Sequence, residues 1–364
     1  MQTLKGHSAG INALAISLDS KILISGSNDK TVAVWNLSTG KWLYSFYGQA
    51  EAVLSVAISP DGKQIVSGSV DRKISSWQLD TQKYHRTFFY LNSPYSHDGF
   101  VNSLTYSADG KIIASGSTDT KIRIWGGYTG KIKLTLNGHS DKVYAVAITP
   151  NSQTLVSSSK DKTIRVWDLQ TGREMYILKP HTAAKTIIIS PDGQTLISGH
   201  QDSTIKLWNL HTGELISTGK QHRQAVVSLA IHPDGETLAS SNIDGVIHII
   251  NLTTGEIVQT LNGYSLLAFS RDGKTLLSSS RNGTIKIWQN NENRELLSEL
   301  SGEWWEVLAV DKDAKPEDVK SAYRRLARLY HPDMNNSARA KIAMQTINQA
   351  YQQFQTQTNK CQKS

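Results

Sequence analysis

Cysteine is almost absent from this 364-residue chain, Cys361 being the only one. One thiol excludes an internal disulfide and a cysteine-built zinc site, and it suits a reducing compartment. Long apolar runs are missing as well. The opening MQTLKGHSAG lacks the roughly 7–15-residue apolar core of a signal peptide, and no stretch approaches the roughly 20 residues of a membrane helix. These absences predict a soluble, cytoplasmic protein with no membrane partner. No unique nucleophile, phosphate loop or metal-ligating cluster stands out, so we expect no enzyme, no cofactor and no metal. Nor does charge of one sign dominate. The 39 Lys+Arg against 31 Asp+Glu leave a net +8 that is spread along the chain, which argues for an ordinary soluble surface and against nucleic-acid binding.

What is present is a period. Trp35, Trp77, Trp125, Trp167, Trp208, Ile250 and Trp288 follow one another at spacings of 42, 48, 42, 41, 42 and 38. Ten residues before each of these anchors stands a serine: Ser25, Ser67, Ser115, Ser157, Ser198, Ser240 and Ser278. Six before each stands an acid or its amide: Asp29, Asp71, Asp119, Asp161, Asp202, Asp244 and Asn282. Twenty-eight before, His7, His97, His139 and His222 recur and Gln49 departs, while His181 is one residue out of step and Tyr264, the departing member of the seventh copy, stands twenty-four before its anchor. Within each copy, short β-branched runs such as KILISGS and TVAVWNL alternate with turn residues, so each copy reads as a small antiparallel sheet needing neighbours to bury its faces.

With GH followed by SGSNDKTVAVWN, residues 1 to 289 resemble the WD-repeat family. The resemblance implies an all-β, seven-bladed β-propeller. It also implies a buried His, Ser, Asp and Trp set within a blade. The sets are His7, Ser25, Asp29, Trp35; His97, Ser115, Asp119, Trp125; His139, Ser157, Asp161, Trp167; and His181, Ser198, Asp202, Trp208. Pairing buried donors with acceptors would tie the strands together, and blades two, six and seven, with Gln49, Ile250 and Asn282, should be tied less well. A Ser, His, Asp set invites a hydrolase reading, but a set that recurs around the ring is not a catalytic one. QTLKGHS at the start parallels LTLNGHS and QTLNGYS, so residues 1–5 are expected to supply the outer strand of the seventh blade and cover its open edge.

The tripeptide His-Pro-Asp occurs twice, as His232-Pro233-Asp234 and as His331-Pro332-Asp333. The first sits eighteen residues before an anchor, where the other copies read SLDS, SPDG, SADG, TPNS, SPDG and SRDG. It is a hairpin turn. The second lies where the period has stopped. Pro316, Glu317 and Asp318 open a helix, with Val319, Tyr323, Leu326, Ala327 and Tyr330 on one face and Lys320, Arg324, Arg325 and Arg328 largely on the other. Ile347, Ala350, Tyr351 and Phe354 give a second apolar stripe.

EWWEVLAV, PEDVKSAYRRLARLYHPD and INQAYQQF together resemble the J domain of DnaJ-type co-chaperones. The resemblance implies a multidomain chain: a propeller over 1–289, a linker over 290–302, a small all-α J domain over 303–356, and a polar tail over 357–364. It implies docking of Lys320, Arg324, Arg325, Arg328, His331, Pro332 and Asp333 on a DnaK-type chaperone whose ATP hydrolysis is accelerated. Departures are Trp304 and Trp305 in place of the usual tyrosines, Ala309, and Gln349. No client-binding Gly/Phe-rich or zinc region follows, so an unknown protein client falls to the propeller. The aromatic insertion with Phe89, Tyr90, Tyr95 and Phe100, and the rim residues Lys142, Tyr144, Lys160 and Arg281, are candidates. The alternative is a WD-repeat scaffold whose J domain is structural or inactive.

Overall fold

In this computed structural model, residues 2–79, 81, 84–88, 96–263, 266–289, 304–308, 310–312, 314–330 and 338–361 are described. The chain divides into two compact units, Met1–Gln289 and Asn290–Ser364.

The first unit holds strands β1–β28 in seven four-stranded antiparallel sheets, so it is a seven-bladed propeller. The first strands of the sheets are β2 (Ile11–Ile16), β6 (Val53–Ile58), β10 (Val101–Tyr106), β14 (Val143–Ile148), β18 (Ala184–Ile189), β22 (Val226–Ile231) and β26 (Leu266–Phe269). Each of these packs against its counterparts in the neighbouring blades, β26 meeting β2 to complete the ring. They surround a cavity of about 770 Å³ lined by Leu14, Tyr106, Ile148, Ile189, Ile231 and Phe269 among others.

The turns after the first strands show why Ser-Pro-Asp-Gly recurs. The Ser59 hydroxyl donates to Asp61 Oδ1 at 2.5 Å, the Lys63 amide donates to the same oxygen at 3.1 Å, and Gly62 takes φ +70. A left-handed residue there suits glycine.

The ring closes as the sequence suggests. Strand β1 (Gln2–Lys5) pairs antiparallel with β28 (Thr284–Gln289), from Gln2 opposite Ile287 to Lys5 opposite Thr284. Leu4 is 3% exposed and shares a core cluster with Ile285, Ile287 and the first blade's Trp35. The first residues therefore serve two blades at once: their backbone covers the edge of the seventh, and Leu4 seals the seam with the first.

In the second unit, α1 (Trp304–Val307), α2 (Pro316–Tyr330) and α3 (Ala338–Cys361) surround a core of Trp304, Val307, Leu308, Val319, Ile347 and Ala350. Glu317 and Asp318 occupy the first turn of α2, where the positive end of the helix dipole favours them. The stretch read as a tail from residue 357 is in part helical, because α3 continues to Cys361. The linker 290–302 lies outside the described residues.

Candidate docking surfaces

The rim of the propeller is held by the buried polar sets, and three of them are complete. In blade four, the His139 Nδ1 atom lies 2.8 Å from Asp161 Oδ2, its Nε2 atom 2.8 Å from Ser157 Oγ, and the Trp167 indole donates to the same Oγ at 2.9 Å. The chain runs one way: the indole N–H donates to the serine oxygen, the hydroxyl donates to Nε2, and the Nδ1 hydrogen goes to the carboxylate. Burial pushes His139 below its ordinary pKa, against the opposing pull of Asp161, and keeps the ring neutral. His7, Ser25, Asp29 and Trp35 repeat this geometry. So do His97, Ser115, Asp119 and Trp125, with the buried Arg123 donating to Asp119 at 2.8 Å. For Asp119, burial alone would raise the pKa, but His97 and Arg123 outweigh it and hold the carboxyl well below its usual range.

Blade five corrects the sequence reading. His181 is exposed in a left-handed turn with φ +69 and joins no set. The imidazole on Ser198 belongs to His200, whose Nε2 lies 2.8 Å from Ser198 Oγ while the Trp208 indole donates to that oxygen at 2.9 Å. His200 Nδ1 faces the Thr182 carbonyl at 3.2 Å, and burial lowers its pKa to about 4. His200 stands outside the histidine column twenty-eight residues before each anchor. The available signal was a histidine interrupting a column of Ser27, Ser69, Ser117 and Ser159, eight residues before each anchor.

The incomplete sets are looser, as their substitutions lead one to expect. The Gln49 side chain donates to Ser67 Oγ at 2.6 Å but leaves Oε1 buried without a partner. His222 reaches Ser240 Oγ at 2.8 Å, yet its Nδ1 is buried and unpartnered, and its ring lies 4.5 Å from that of His248. In blade seven the Trp288 indole still donates to Ser278 at 3.0 Å. Tyr264 lies outside the described residues.

Of the proposed rim residues, Phe100, Lys142, Tyr144 and Lys160 lie on neighbouring blades three and four. Phe100 is 46% exposed, and its carbonyl accepts from the Thr118 amide at 3.0 Å. The Lys142 carbonyl accepts from the Lys160 amide at 3.0 Å, and the Lys160 ammonium lies 3.4 Å from Asp141. Lys142 sits 5.7 Å from the centre of the Tyr144 ring. A nearer cation, Lys185 of blade five at 3.9 Å, was missed. Its signal was positional, since Lys185 and Tyr144 both stand twenty-three residues before an anchor. Arg281 is exposed in the seventh blade, near Gly10 of the first. Phe89, Tyr90 and Tyr95 lie outside the described residues.

The first His-Pro-Asp is a turn. The Gly235 amide donates to the His232 carbonyl at 3.0 Å, and Asp234 Oδ1 accepts from the Glu236 and Thr237 amides at 2.8 and 2.9 Å.

In the second unit, α2 presents Lys320, Arg324 and Arg325 to solvent while Val319 is fully buried on its other side. Tyr323 stacks on Tyr351 at 4.2 Å and donates its hydroxyl to Asn348 at 3.0 Å, joining α2 to α3. The indoles of Trp304 and Trp305 meet edge to face at 5.5 Å, and Trp304 also lies 4.8 Å from Phe354. The tryptophans thus serve the core of this unit. His331, Pro332 and Asp333, and the side chain of Arg328, lie outside the described residues. No helix among the described residues is long and apolar enough to cross a membrane.

Comparison with known proteins divides along the same lines. The family model described as "IFT122 first beta-propeller" matches residues 100–358, and that described as "WD domain, G-beta repeat" matches residues 1–36 and 40–78. Beyond residue 289 the first of these runs onto the helical unit. "Chaperone protein DnaJ" of Rippkaea orientalis is 53% identical over 53 residues, which is 15% of this chain and 14% of that protein. The protein of the same description from Crocosphaera subtropica is 47% identical over 53 residues, with the same shares. "Chaperone protein DnaJ 1" of Aquifex aeolicus is 42% identical over 55 residues, 15% of each chain. The chain thus spans about 14% of the length of the first of these relatives, and the similarity supports a J domain.

Proposed function

This chain belongs to the β-propeller family described as "IFT122 first beta-propeller", and from that premise we propose that it is a two-part co-chaperone. Its propeller is an adaptor for a protein client or a location, and its second unit is a J domain that stimulates ATP hydrolysis by a DnaK-type chaperone. The chain itself is no enzyme, and it works in the cytoplasm.

The observation that carries this reading is the two-faced helix α2. Its buried face is anchored by Val319 and Tyr323, so Lys320, Arg324 and Arg325 are held together on the exposed face. Fixed cations of one sign raise encounter rates with an acidic partner. In sequence the helix leads directly into His331-Pro332-Asp333. Asp333 supplies a carboxylate for a charge-assisted bond to a partner arginine, and the ring of Pro332 limits the backbone freedom of the tripeptide. On the propeller, Phe100, Tyr144, Lys142, Lys160 and Lys185 combine aromatic surface with positive charge, which suits a client segment carrying acidic and apolar residues.

The test is steady-state ATPase of a DnaK-type chaperone with and without the full chain. Stimulation that disappears with His331→Gln is expected. No stimulation, or equal stimulation by the variant, would reject the co-chaperone and favour a scaffold with an inactive J domain.

A further inference from the structure

The seams between blades are built from a recurring pair: an apolar residue on the outer strand of one blade and the anchor tryptophan of the next. Leu4 shares a core cluster with Trp35, Phe46 with Trp77, Leu136 with Trp167, and Leu178 with Trp208. These outer-strand residues stand at one register position, opposite Ile285, Val32, Ile122 and Ile164 in turn. At the seam between blades five and six both members are replaced. The register position opposite Ile205, on the outer strand β21 (Leu215–Gly219), is Gly219, and the anchor is Ile250.

The lost volume is refilled only in part, by the Gln221 amide, whose atoms stand within 2.7 Å of where a Cβ of residue 219 would lie. A cavity of about 200 Å³ opens at this seam, walled by Ile205, Leu207, Leu238, Ile250 and Leu252. Gln221 lines its polar end, and its Oε1 atom is buried with no hydrogen-bond partner. Such an orphaned acceptor is destabilising until a donor reaches it. Leu207 and Leu252 also line an adjoining cavity of about 430 Å³, together with the carboxylate-bearing Asp192, Asp234 and Glu236. The outer strand beside the slot exposes Leu215 and Ile216 at 49% and 56%.

The geometry points to this seam as a binding slot for a tryptophan side chain of a partner protein, presented beside a lysine or arginine. A flat ring fits the space that most of an indole leaves at Ile250, with the Gln221 amide at its edge. An indole N–H is the donor that Gln221 Oε1 lacks, and the three acids next door are complementary to a neighbouring cation. The volume is below the roughly 300–1,000 Å³ of small-molecule sites and suits one side chain. This surface lies between two blades and is independent of the J-domain reading.

The experiment is titration of the full chain with the synthetic peptide acetyl-Gly-Trp-Lys-Arg-amide, followed by calorimetry. Saturable binding is expected, weakened about tenfold or more by Gly219→Leu or Ile250→Phe, each of which plugs the slot. Gly219 lies in extended backbone, and a Cβ there presses only on the movable amide of Gln221, so the plugged chain is expected to fold, with its thermal midpoint as the check. A peptide with 1-methyltryptophan, which lacks the N–H, is expected to bind about threefold to tenfold more weakly. Unchanged binding to both plugged variants, or no saturable binding to the natural chain, overturns the proposal. Free indole binding as well as the peptide also overturns it, in favour of a small-molecule site.

Discussion

Replacing Ser157 by alanine asks whether the buried polar set in a blade is one connected chain or a collection of separate contacts. Ser157 Oγ serves two buried groups, His139 Nε2 at 2.8 Å and the Trp167 indole at 2.9 Å. Alanine would strand both. Each unsatisfied buried group costs about 1–3 kcal/mol, so Ser157→Ala should cost about 2–6 kcal/mol. Blade six provides an internal control. Ser240 serves His222 at 2.8 Å, but the anchor there is Ile250, which has no donor. Ser240→Ala strands one group and should cost about half as much. The assay is urea unfolding of the two variants and the natural chain, followed by near-ultraviolet circular dichroism, with equal slopes as the condition for comparing midpoints. A loss for Ser240→Ala equal to or larger than that for Ser157→Ala would refute the reasoning, because the indole would then contribute nothing to the network.

Four further outcomes follow from the geometry. His200→Leu should destabilise the propeller while His181→Leu should not, since His200 alone reaches Ser198; equal thermal midpoints for the two variants would reverse the assignment. His200 also makes stability pH-dependent. Its pKa falls from 6.5 to about 4 on folding because burial disfavours the charged ring. The unfolded chain therefore binds the proton first, so the contribution is intact above about pH 6.5 and is lost as pH falls towards 4. Its size is at most about 3 kcal/mol, and a titration of unfolding free energy on the natural chain and His200→Leu should show the smaller slope in the variant. Deleting residues 1–5 removes four paired positions on β28 and the burial of Leu4, which alone is worth about 1.5–3 kcal/mol. It also bares a sheet edge, so a lower thermal midpoint and concentration-dependent association on size-exclusion chromatography are expected. Finally, Arg324→Glu with Arg325→Glu should slow association with the proposed DnaK-type partner, most strongly at low salt, as measured by stopped-flow fluorescence.

What the sequence revealed and what it concealed have one physical cause. A propeller blade is a local unit whose strands follow one another and pair with their neighbours in sequence, so fixed offsets between Ser, Asp and Trp translate directly into fixed positions in a sheet. Blade count, ring closure by residues 1–5 and the weak ties at Gln49 and Ile250 were all legible in this way. Offsets failed where side chains reach across the register. His200 replaces the missing histidine from the middle of a blade, eight residues before Trp208, because an imidazole on the neighbouring strand position can turn its Nε2 onto the same Ser198 hydroxyl. Lys185 stands above Tyr144 from the next blade, which shows only when the same position is compared in neighbouring copies. The seam at Gly219 and Ile250 is the same lesson in apolar form. Each substitution alone resembles ordinary drift in a repeat, and only the packing of one blade's outer strand under the next blade's anchor shows that two losses of volume fall in one place. Departures from a repeat therefore carry most of the information specific to this chain, and their meaning is set by what lies across the seam.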